Sequence, residues 1–574
     1  MVARLRSSTS AAAAVLLVGA ASCAYAGCLA PVGVGSIGDP ETQGGASTPG
    51  RAGTSGGSGG SGAPGMSGIS GTSGSSIQAA PLPARVRLMN NSEYNNTVAA
   101  LLGDTTQPAT AFPVAAKQNG FSNNVNQIAG SVLASAFDTS AQTLAANAAK
   151  SLSTLLPCDP VAVGETACAS AFITSFGPRA FRRPLTSDDQ NGLTGIYAAS
   201  RQAGADFPKA IEMVLYGILS SASFLYVTEL GAGGPSGSTT SLTPYETASS
   251  LSYFLLASPP DAQLEAAAAT NILGTPDALA AHARRLLADP RAHSQVKRFF
   301  QEWFEMGAST KDSTVYPSYQ TVSASFLAET PALVDDVIFK GDGTLQSLLL
   351  ADYTFVDSAL AAFYQVPVSV PAGQLMRVSL AGTNRLGVLG NAGFLSSHSD
   401  ATMSSPVLRG VFVRRRLLCQ TLPPPPPGLN ITPPTRAAAK TTRQLFDAHT
   451  SNPACSGCHS QIDPIGNGLE NFDGEGHYRT MDNGQPVDGS GEVANTQDAN
   501  GKFTGVVELA HLLAQSKQVQ TCFARQLFRF GSAQNGDATE EEFFNEMPNP
   551  IPASFQDIVV AYVRTAMFAK RVNP

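Results

Sequence analysis

A chain of 574 residues exceeds what a single hydrophobic core organises, so several domains are expected. Only 14% of the residues are charged, and 36 basic against 43 acidic side chains give a net charge of −7. This balance excludes the basic surface that nucleic-acid-binding proteins need, so we expect no nucleic acid among the partners. Abundant alanine with few charges is typical of a mainly helical protein, and Gly and Pro are concentrated in a few inserts.

The N-terminus has the pattern of an export signal. Two arginines precede an apolar run at 11–21 that is too short to span a bilayer, which predicts a signal peptide over residues 1–27. Residues 24–26 read Ala-Tyr-Ala, a small-residue site for ordinary cleavage, whereas Cys28 follows Ala-Gly as in a lipoprotein. We expect lipidation of Cys28, because a long flexible segment follows it.

That segment is a Gly/Ser-rich tether, predicted to be disordered over residues 28–83. Residues 36–76 are almost wholly Gly, Ser, Thr, Ala and Pro, and cannot bury enough apolar surface to offset their ordering entropy. A lipid anchor at Cys28 would let this tether hold a globular body clear of a membrane. The alternative is a plain disordered tail on a secreted protein. Both place the body outside the cytoplasm, in the periplasm or at the outer surface.

Helical periodicity dominates the rest of the chain. Ser92 is the expected N-cap of the first helix, and Thr243 with Glu246 predicts a capping box around a proline at the first helical position. We expect residues 242–365 to be all-helical. Residues 366–383 alternate apolar and polar side chains, which predicts a short hairpin between two domains.

Residues 455–459 read Cys-Ser-Gly-Cys-His, the C-x-x-C-H attachment sequence of a c-type haem. The two thiols can each add across a haem vinyl group, and the histidine is then placed to coordinate the iron from the proximal side. A disulfide between Cys455 and Cys458 is the simplest alternative. A zinc site is less favoured, because no second closely spaced Cys/His pair lies nearby to complete four ligands.

The number of cysteines is consistent with this motif. Once Cys28 is assigned to lipid and the motif pair to haem, four cysteines remain after the signal. An even remainder in an oxidising compartment predicts two disulfides. Cys158 and Cys168 form the natural local pair, which closes a short loop and contributes about 2–3 kcal/mol. Cys419 and Cys522 are then left to pair, although three connectivities are formally open.

Six stretches after residue 84 carry a family resemblance, and they follow one another in a fixed order. They are 87–103, 176–186 (FGPRAFRRPLT), 243–261, 405–410 (SPVLRG), 418–419 before the proline run, and 455–478 over the motif. In this order they resemble the multidomain planctomycete-type cytochrome c proteins, whose domains are mostly of unknown function. The resemblance covers nearly everything after residue 84. It implies an exported bacterial haem-motif protein and implies no particular reaction.

The predicted fold class is mainly α, with several helical domains and a cytochrome-c-like haem domain near the C-terminus. The predicted domains are an N-terminal helical domain (84–156), a second helical domain (157–230), a central helical domain (242–365), a cytochrome-c-like domain (385–490) and a C-terminal helical domain (500–574).

The resemblance implies covalent haem c, with Cys455 and Cys458 as thioether anchors and His459 as the ligand of the iron. Met481 is the first candidate for the sixth ligand and Met403 the alternative. Three histidines are further candidates for that position: His398, His449 and His477. Three arginines could neutralise the haem propionates, although a solvated surface position is the simpler expectation for each: Arg409, Arg414 and Arg479.

Three hypotheses for function follow. The first is a c-type cytochrome that exchanges electrons with a redox partner protein or a small-molecule donor or acceptor. The second is a haem-dependent oxidoreductase of the peroxidase or oxygenase type, which the large helical mass keeps open. The third is a haem-free, disulfide-stabilised surface module for binding or structure. The sequence offers no catalytic acid or base, so it leaves open whether the protein is an enzyme.

Overall fold

The computed structural model describes residues 82–423, 434–436, 439–451, 453–534 and 537–574. The predicted signal peptide, Cys28, most of the predicted tether and residues 424–433 of the proline-rich run lie outside these ranges. The described chain is mainly helical, with a few short sheets, as predicted. No helix within it is long and apolar enough to cross a membrane.

The N-terminal helices pack around one strongly apolar helix, α6 (Phe207–Leu219), which buries Ile211, Val214, Leu215 and Ile218 at helical spacing. The helices of this region are α1 Asn91–Leu102, α2 Ser131–Ala148, α3 Pro160–Val163, α4 Glu165–Phe181, α5 Ser187–Gln202, α6 Phe207–Leu219 and α7 Ala222–Leu225.

The first helix begins at a different residue from the predicted one. Its N-cap is Asn90 and not Ser92, because the Asn90 side chain accepts a hydrogen bond from the Glu93 amide at 3.0 Å. The Glu93 carboxylate in turn accepts from the Asn90 amide at 3.0 Å, which completes a capping box. The box needs its acidic member three residues after the cap, and this spacing selects Asn90. The capping box of Thr243 with Glu246 is confirmed.

Short strands bring the two ends of the described chain together. Strand β1 (Leu82–Pro83) runs parallel to β11 (Lys570–Val572), and β11 pairs antiparallel with β4 (Thr239–Ser241). Beside this sheet, β2 (Arg85–Leu88) pairs antiparallel with β3 (Tyr226–Glu229). The first and last described segments therefore close one body.

A buried carboxylate stabilises this closure. Glu229 accepts hydrogen bonds from Arg85 Nε at 2.7 Å and from Arg571 Nε at 2.9 Å. Burial opposes its ionisation, but the guanidinium groups of Arg571 and Arg85 lower the pKa of Glu229 well below its usual value. The ion pair links residues more than three hundred positions apart in the sequence.

The central region is a helical bundle with one face of buried aromatic rings. Val296, Phe299, Phe300 and Trp303 lie along that face of α11. Its helices are α8 Pro244–Leu256, α9 Ala262–Ala269, α10 Pro276–Leu287, α11 Pro290–Trp303, α12 Tyr319–Asp335, α13 Leu345–Leu349 and α14 Ser358–Tyr364.

Two expectations for the central region are wrong in detail. Residues 242–365 are not all-helical, because β5 (Tyr353–Val356) lies within them. The alternating stretch 366–383 contains a single strand, β6 (Met376–Ser379), and not a hairpin. β6 pairs antiparallel with β5 across α14. Alternation in the sequence indicates a strand, but it does not identify the partner strand.

Between residue 385 and the end of the motif region, the described chain contains four α-helices. They are α15 Ala392–Ser397, α16 Pro406–Phe412, continued by a π-helical turn at Val413–Leu417, α17 Thr442–Ser451 and α18 Pro453–Asn467. Short antiparallel pairs follow: β7 Met481–Asp482 with β8 Gln485–Pro486, and β9 Ser490–Val493 with β10 Gly501–Thr504.

The C-terminal helices contribute to the same hydrophobic core as the central bundle and the region around the motif. They are α19 Gly505–Ala514, α20 Lys517–Ser532, α21 Asp537–Glu546, α22 Phe555–Val563 and α23 Ala566–Ala569. Both expected disulfides are present: Cys158–Cys168 closes a local loop, and Cys419–Cys522 ties the segment after α16 to α20.

A buried acid joins the central bundle to the region that contains the motif. Glu329 on α12 accepts hydrogen bonds from Thr354 Oγ1 and Tyr364 Oη, both at 2.8 Å. The Tyr364 oxygen accepts from the Ala392 amide at 2.7 Å, at the start of α15. Burial raises the pKa of Glu329 to about 7, with the hydrogen bonds acting in the opposite direction.

Glu329→Gln should change how stability depends on pH. The folded-state pKa of Glu329, about 7, lies above its ordinary value of 4.5, so the folded protein holds this proton more tightly than the unfolded chain does. The resulting stabilisation is complete below about pH 4.5 and is lost as pH rises through 7. In chemical denaturation the variant should therefore gain about 1–3 kcal/mol relative to wild type between pH 4.5 and 8.

Glu492→Gln is the matched control, since Glu492 is an exposed glutamate on β9. Its free energy of unfolding should follow the wild-type pH profile. A constant difference between wild type and Glu329→Gln across this pH range would contradict the prediction.

Candidate cofactor-attachment site

The motif lies in the first half of α18. Cys455, Cys458 and His459 stand at positions i, i+3 and i+4 of this helix, which places the three side chains on one face. Each is partly exposed, and the two thiols are not joined in a disulfide. One face of one helix therefore presents two reactive sulfurs and an imidazole to the same side.

The imidazole of His459 is hydrogen-bonded to a buried carboxylate. His459 Nδ1 lies 2.9 Å from Oδ1 of Asp463, one helical turn further along, and Asp463 is 2% exposed. This hydrogen bond raises the pKa of His459, although burial opposes the shift. A carboxylate only accepts hydrogen bonds, so Nδ1 carries the proton and the neutral ring has its lone pair on Nε2.

These residues fit a c-type haem. A metal-bound histidine characteristically donates its second ring N–H to a carboxylate or carbonyl, which fixes the tautomer and the ring orientation. Two thiols on the same helix face supply the covalent anchors. Across the described ranges, no group of three or more His, Cys, Asp or Glu side chains is arranged to hold a metal ion.

Two glycines set the position of α18. A Cβ atom on Gly466 would overlap the carbonyl oxygen of Pro406, and one on Gly410 would overlap the carbonyl oxygen of Ile462. Helices α16 and α18 therefore cross with their backbones in contact at both points. Any side chain larger than hydrogen at Gly410 or Gly466 would force the helices apart.

The loop after α18 is organised by Arg409, which extends inward from α16. Arg409 is fully buried and donates to the carbonyl oxygens of Leu469, Phe472 and Asp473, each at 2.8 Å. Glu470 lies 3.7 Å away and balances its charge. Arg409 thus connects α16 to the loop that leaves the motif helix.

Arg414 and Arg479 are likewise committed to the protein. Arg414 Nε donates to the Gln461 carbonyl of α18 at 2.9 Å, and Arg479 Nη2 donates to Glu470 at 2.9 Å. The expectation of solvated surface arginines is wrong for Arg409 and Arg414, which are buried, and their hydrogen bonds hold backbone carbonyls. Sequence alone could not reveal this, because most of their acceptors are backbone oxygens of segments distant in sequence.

The two predicted methionine ligands occupy different environments. Met481 is 51% exposed on the two-residue strand β7, next to Asp482, which accepts hydrogen bonds from the backbone and side chain of Thr442 at the start of α17. Met403 is 5% exposed, in the turn before α16. The assignment of the sixth ligand to Met481 or Met403 stays a prediction.

The histidine candidates for the sixth ligand lie in different surroundings. His398 packs against Phe394 and Phe412, with ring centroids 4.5 and 4.8 Å apart. Phe412 is two residues after Gly410, so His398 lies on the side of α16 opposite to α18. The His477 ring contacts that of Phe363 at 3.7 Å. The side chain of His449 lies outside the described residues.

Sequence reasoning missed Asp463, Gly410 and Gly466. Asp463 had a usable signal, since it follows His459 by four residues in a helical segment and therefore shares its face. The two glycines had no such signal, because their role depends on which helix crosses them.

Comparison with known proteins identifies four domains in a fixed order. Residues 87–150 match PSD3 (protein of unknown function, DUF1587) and residues 168–229 match PSD5 (protein of unknown function, DUF1595). Residues 242–366 match PSD4 (protein of unknown function, DUF1592), and residues 385–482, which contain the motif, match PSCyt3 (protein of unknown function, DUF1588). No curated protein and no solved structure matches the chain.

Gly466→Ala should destabilise the protein by about 2 kcal/mol or more, because the added methyl overlaps a backbone oxygen that cannot move independently of α16. Gly457→Ala is the matched control in the same helix, since a Cβ there meets no atom within 4 Å. Alanine is the better helix former, so the control should be neutral or more stable by up to about 1 kcal/mol.

Equilibrium denaturation by guanidinium chloride measures the free energy of unfolding of both variants. Equal stability of Gly466→Ala and Gly457→Ala would contradict the close crossing of α16 and α18.

Proposed function

We propose that this chain, which belongs to the multidomain planctomycete-type cytochrome c proteins, binds one haem c covalently and transfers electrons through it. The family expected from the sequence is confirmed by the four matched domains. The matched domains are themselves of unknown function, so the proposal rests on the chemistry of the motif.

The observation that carries the proposal is the arrangement on α18. Cys455 and Cys458 are the two cysteines of the described chain outside disulfides, and they share a helix face with His459. The Asp463 carboxylate holds the imidazole in the tautomer that a metal ligand requires. A surface disulfide module would not need an imidazole fixed in this way.

Each residue then has a definite role. Cys455 and Cys458 would hold the haem through two thioether bonds, each formed by addition of an S–H group across a vinyl group, with sulfur bonding to one carbon and hydrogen to the other. His459 would hold the iron through Nε2, while Asp463 accepts the Nδ1 proton in a hydrogen bond. The bound iron would supply one-electron redox chemistry.

The disulfides and the pattern at the N-terminus support a proposal for the location of the protein. Disulfides such as Cys158–Cys168 and Cys419–Cys522 persist in oxidising compartments, and the sequence begins with the pattern of an export signal. We propose an exported protein, periplasmic or at the outer surface, held to a membrane by a lipid on Cys28. Its partners would be a redox protein or a small-molecule electron donor or acceptor.

The double variant Cys455→Ala/Cys458→Ala should lose covalent haem completely, because no thiol remains on the attachment face. The protein is expressed in a bacterial host that matures c-type cytochromes, and the pyridine haemochrome spectrum and haem staining after denaturing electrophoresis are recorded. Ser456→Ala, a change between the two cysteines, is the control and should retain wild-type haem content.

Wild-type protein without covalent haem in this host would refute the proposal and favour the haem-free surface module. Addition of carbon monoxide to the reduced protein tests electron transfer separately. Rapid binding would reveal an open iron and contradict the electron-carrier function in favour of a haem-dependent oxidoreductase.

A further inference from the structure

We infer that Asp463 is a positioning residue that strengthens the donation of electron density from His459 to the iron and thereby lowers the reduction potential of the site. The inference rests on the proposed function, because it concerns the same helix and the same imidazole. It adds a residue that the C-x-x-C-H motif does not contain.

His459 Nδ1 and Asp463 Oδ1 are 2.9 Å apart, within the range of charge-assisted hydrogen bonds. The His459 side chain is 21% exposed, whereas that of Asp463 is 3% exposed. The acceptor is thus shielded from water while the ring reaches the surface of the helix. Shielding strengthens the hydrogen bond, since water does not compete for the carboxylate oxygen.

Asp463 lies between two points at which α18 is fixed. On one side, the Gln461 carbonyl accepts from buried Arg414 at 2.9 Å; on the other, Gly466 lies in backbone contact with Pro406. Pro464 follows directly and restricts the backbone further. The carboxylate is therefore held in place before any cofactor binds.

A carboxylate that accepts the Nδ1 proton shifts electron density into the ring and makes Nε2 a stronger donor than a neutral acceptor would. A stronger axial donor stabilises ferric iron more than ferrous iron, which lowers the reduction potential. The site should accordingly give up electrons readily and accept them only from donors of low potential.

A purely structural role makes a different prediction. Paired residues at i and i+4 stabilise a helix modestly. If that were the whole role of Asp463, its substitution would change the stability of α18 and leave the potential and the electronic structure of the ligand unchanged.

The experiment compares haem-loaded full-length wild type with Asp463→Asn and Asp463→Ser. Potentiometric titration gives the midpoint potential. Proton NMR of the ferric cyanide form reports the hyperfine-shifted ring protons of His459, with cyanide defining the opposite ligand. Asp447→Asn is the control, because Asp447 is an exposed aspartate on α17 and its substitution changes the net charge by the same amount.

Both Asp463 variants should bind haem, show a midpoint potential more positive than that of Asp447→Asn, and shift the His459 ring resonances. If one variant fails to fold, the other carries the test. A potential and ring resonances equal to those of Asp447→Asn would overturn the inference and leave the proposed function intact. Absence of covalent haem in wild type would refute the proposed function itself, so the two failures are distinguishable.

Discussion

Two glycines allow helices α16 and α18 to cross with their backbones in contact, and the position of the motif follows from that crossing. Gly410 meets the carbonyl of Ile462, and Gly466 meets that of Pro406. Once the helices lie this close, Arg409 can extend from α16 past α18 and donate hydrogen bonds to three carbonyl oxygens of the loop that follows α18. The crossing fixes the helix, and the arginine fixes the chain that leaves it.

Local features of the fold were predictable, because local chemistry determines them. The capping box of Thr243 with Glu246 and the pairing of Cys158 with Cys168 each join residues close in sequence. Apart from Cys419–Cys522, which the cysteine count left as the remaining pair, features that join distant segments were not predictable. The pairing of β5 with β6 across α14 depends on tertiary packing that periodicity does not report. The burial of Arg409 likewise depends on tertiary packing.

The candidate site divides along the same line. The two thiols and the imidazole lie within five contiguous residues, so their chemistry can be recognised from the sequence alone. The role of Asp463 can be recognised only once the segment is known to be helical, because a residue four positions after His459 then lies about one turn further along the same face. The assignment of a ligand opposite His459 to Met481 or Met403 stays a prediction, because local pattern carries no information about tertiary placement.

The large helical mass invites an enzymatic interpretation, but the packing gives it another role. One hydrophobic core contains residues of the central region, the region around the motif and the C-terminal helices. The Trp303 indole of the central bundle donates to the Arg416 carbonyl at 2.9 Å, and Phe304 packs on Phe412 of α16. Arg385 lies between the rings of Tyr364 and Phe472, 4.0 and 4.8 Å from their centroids.

These contacts mean that α16, which positions the motif helix, is itself positioned by the central bundle. The segment that carries the motif completes its core with residues from elsewhere in the chain. The helical mass is therefore part of what holds the attachment site together. A separate catalytic domain is not needed to account for it.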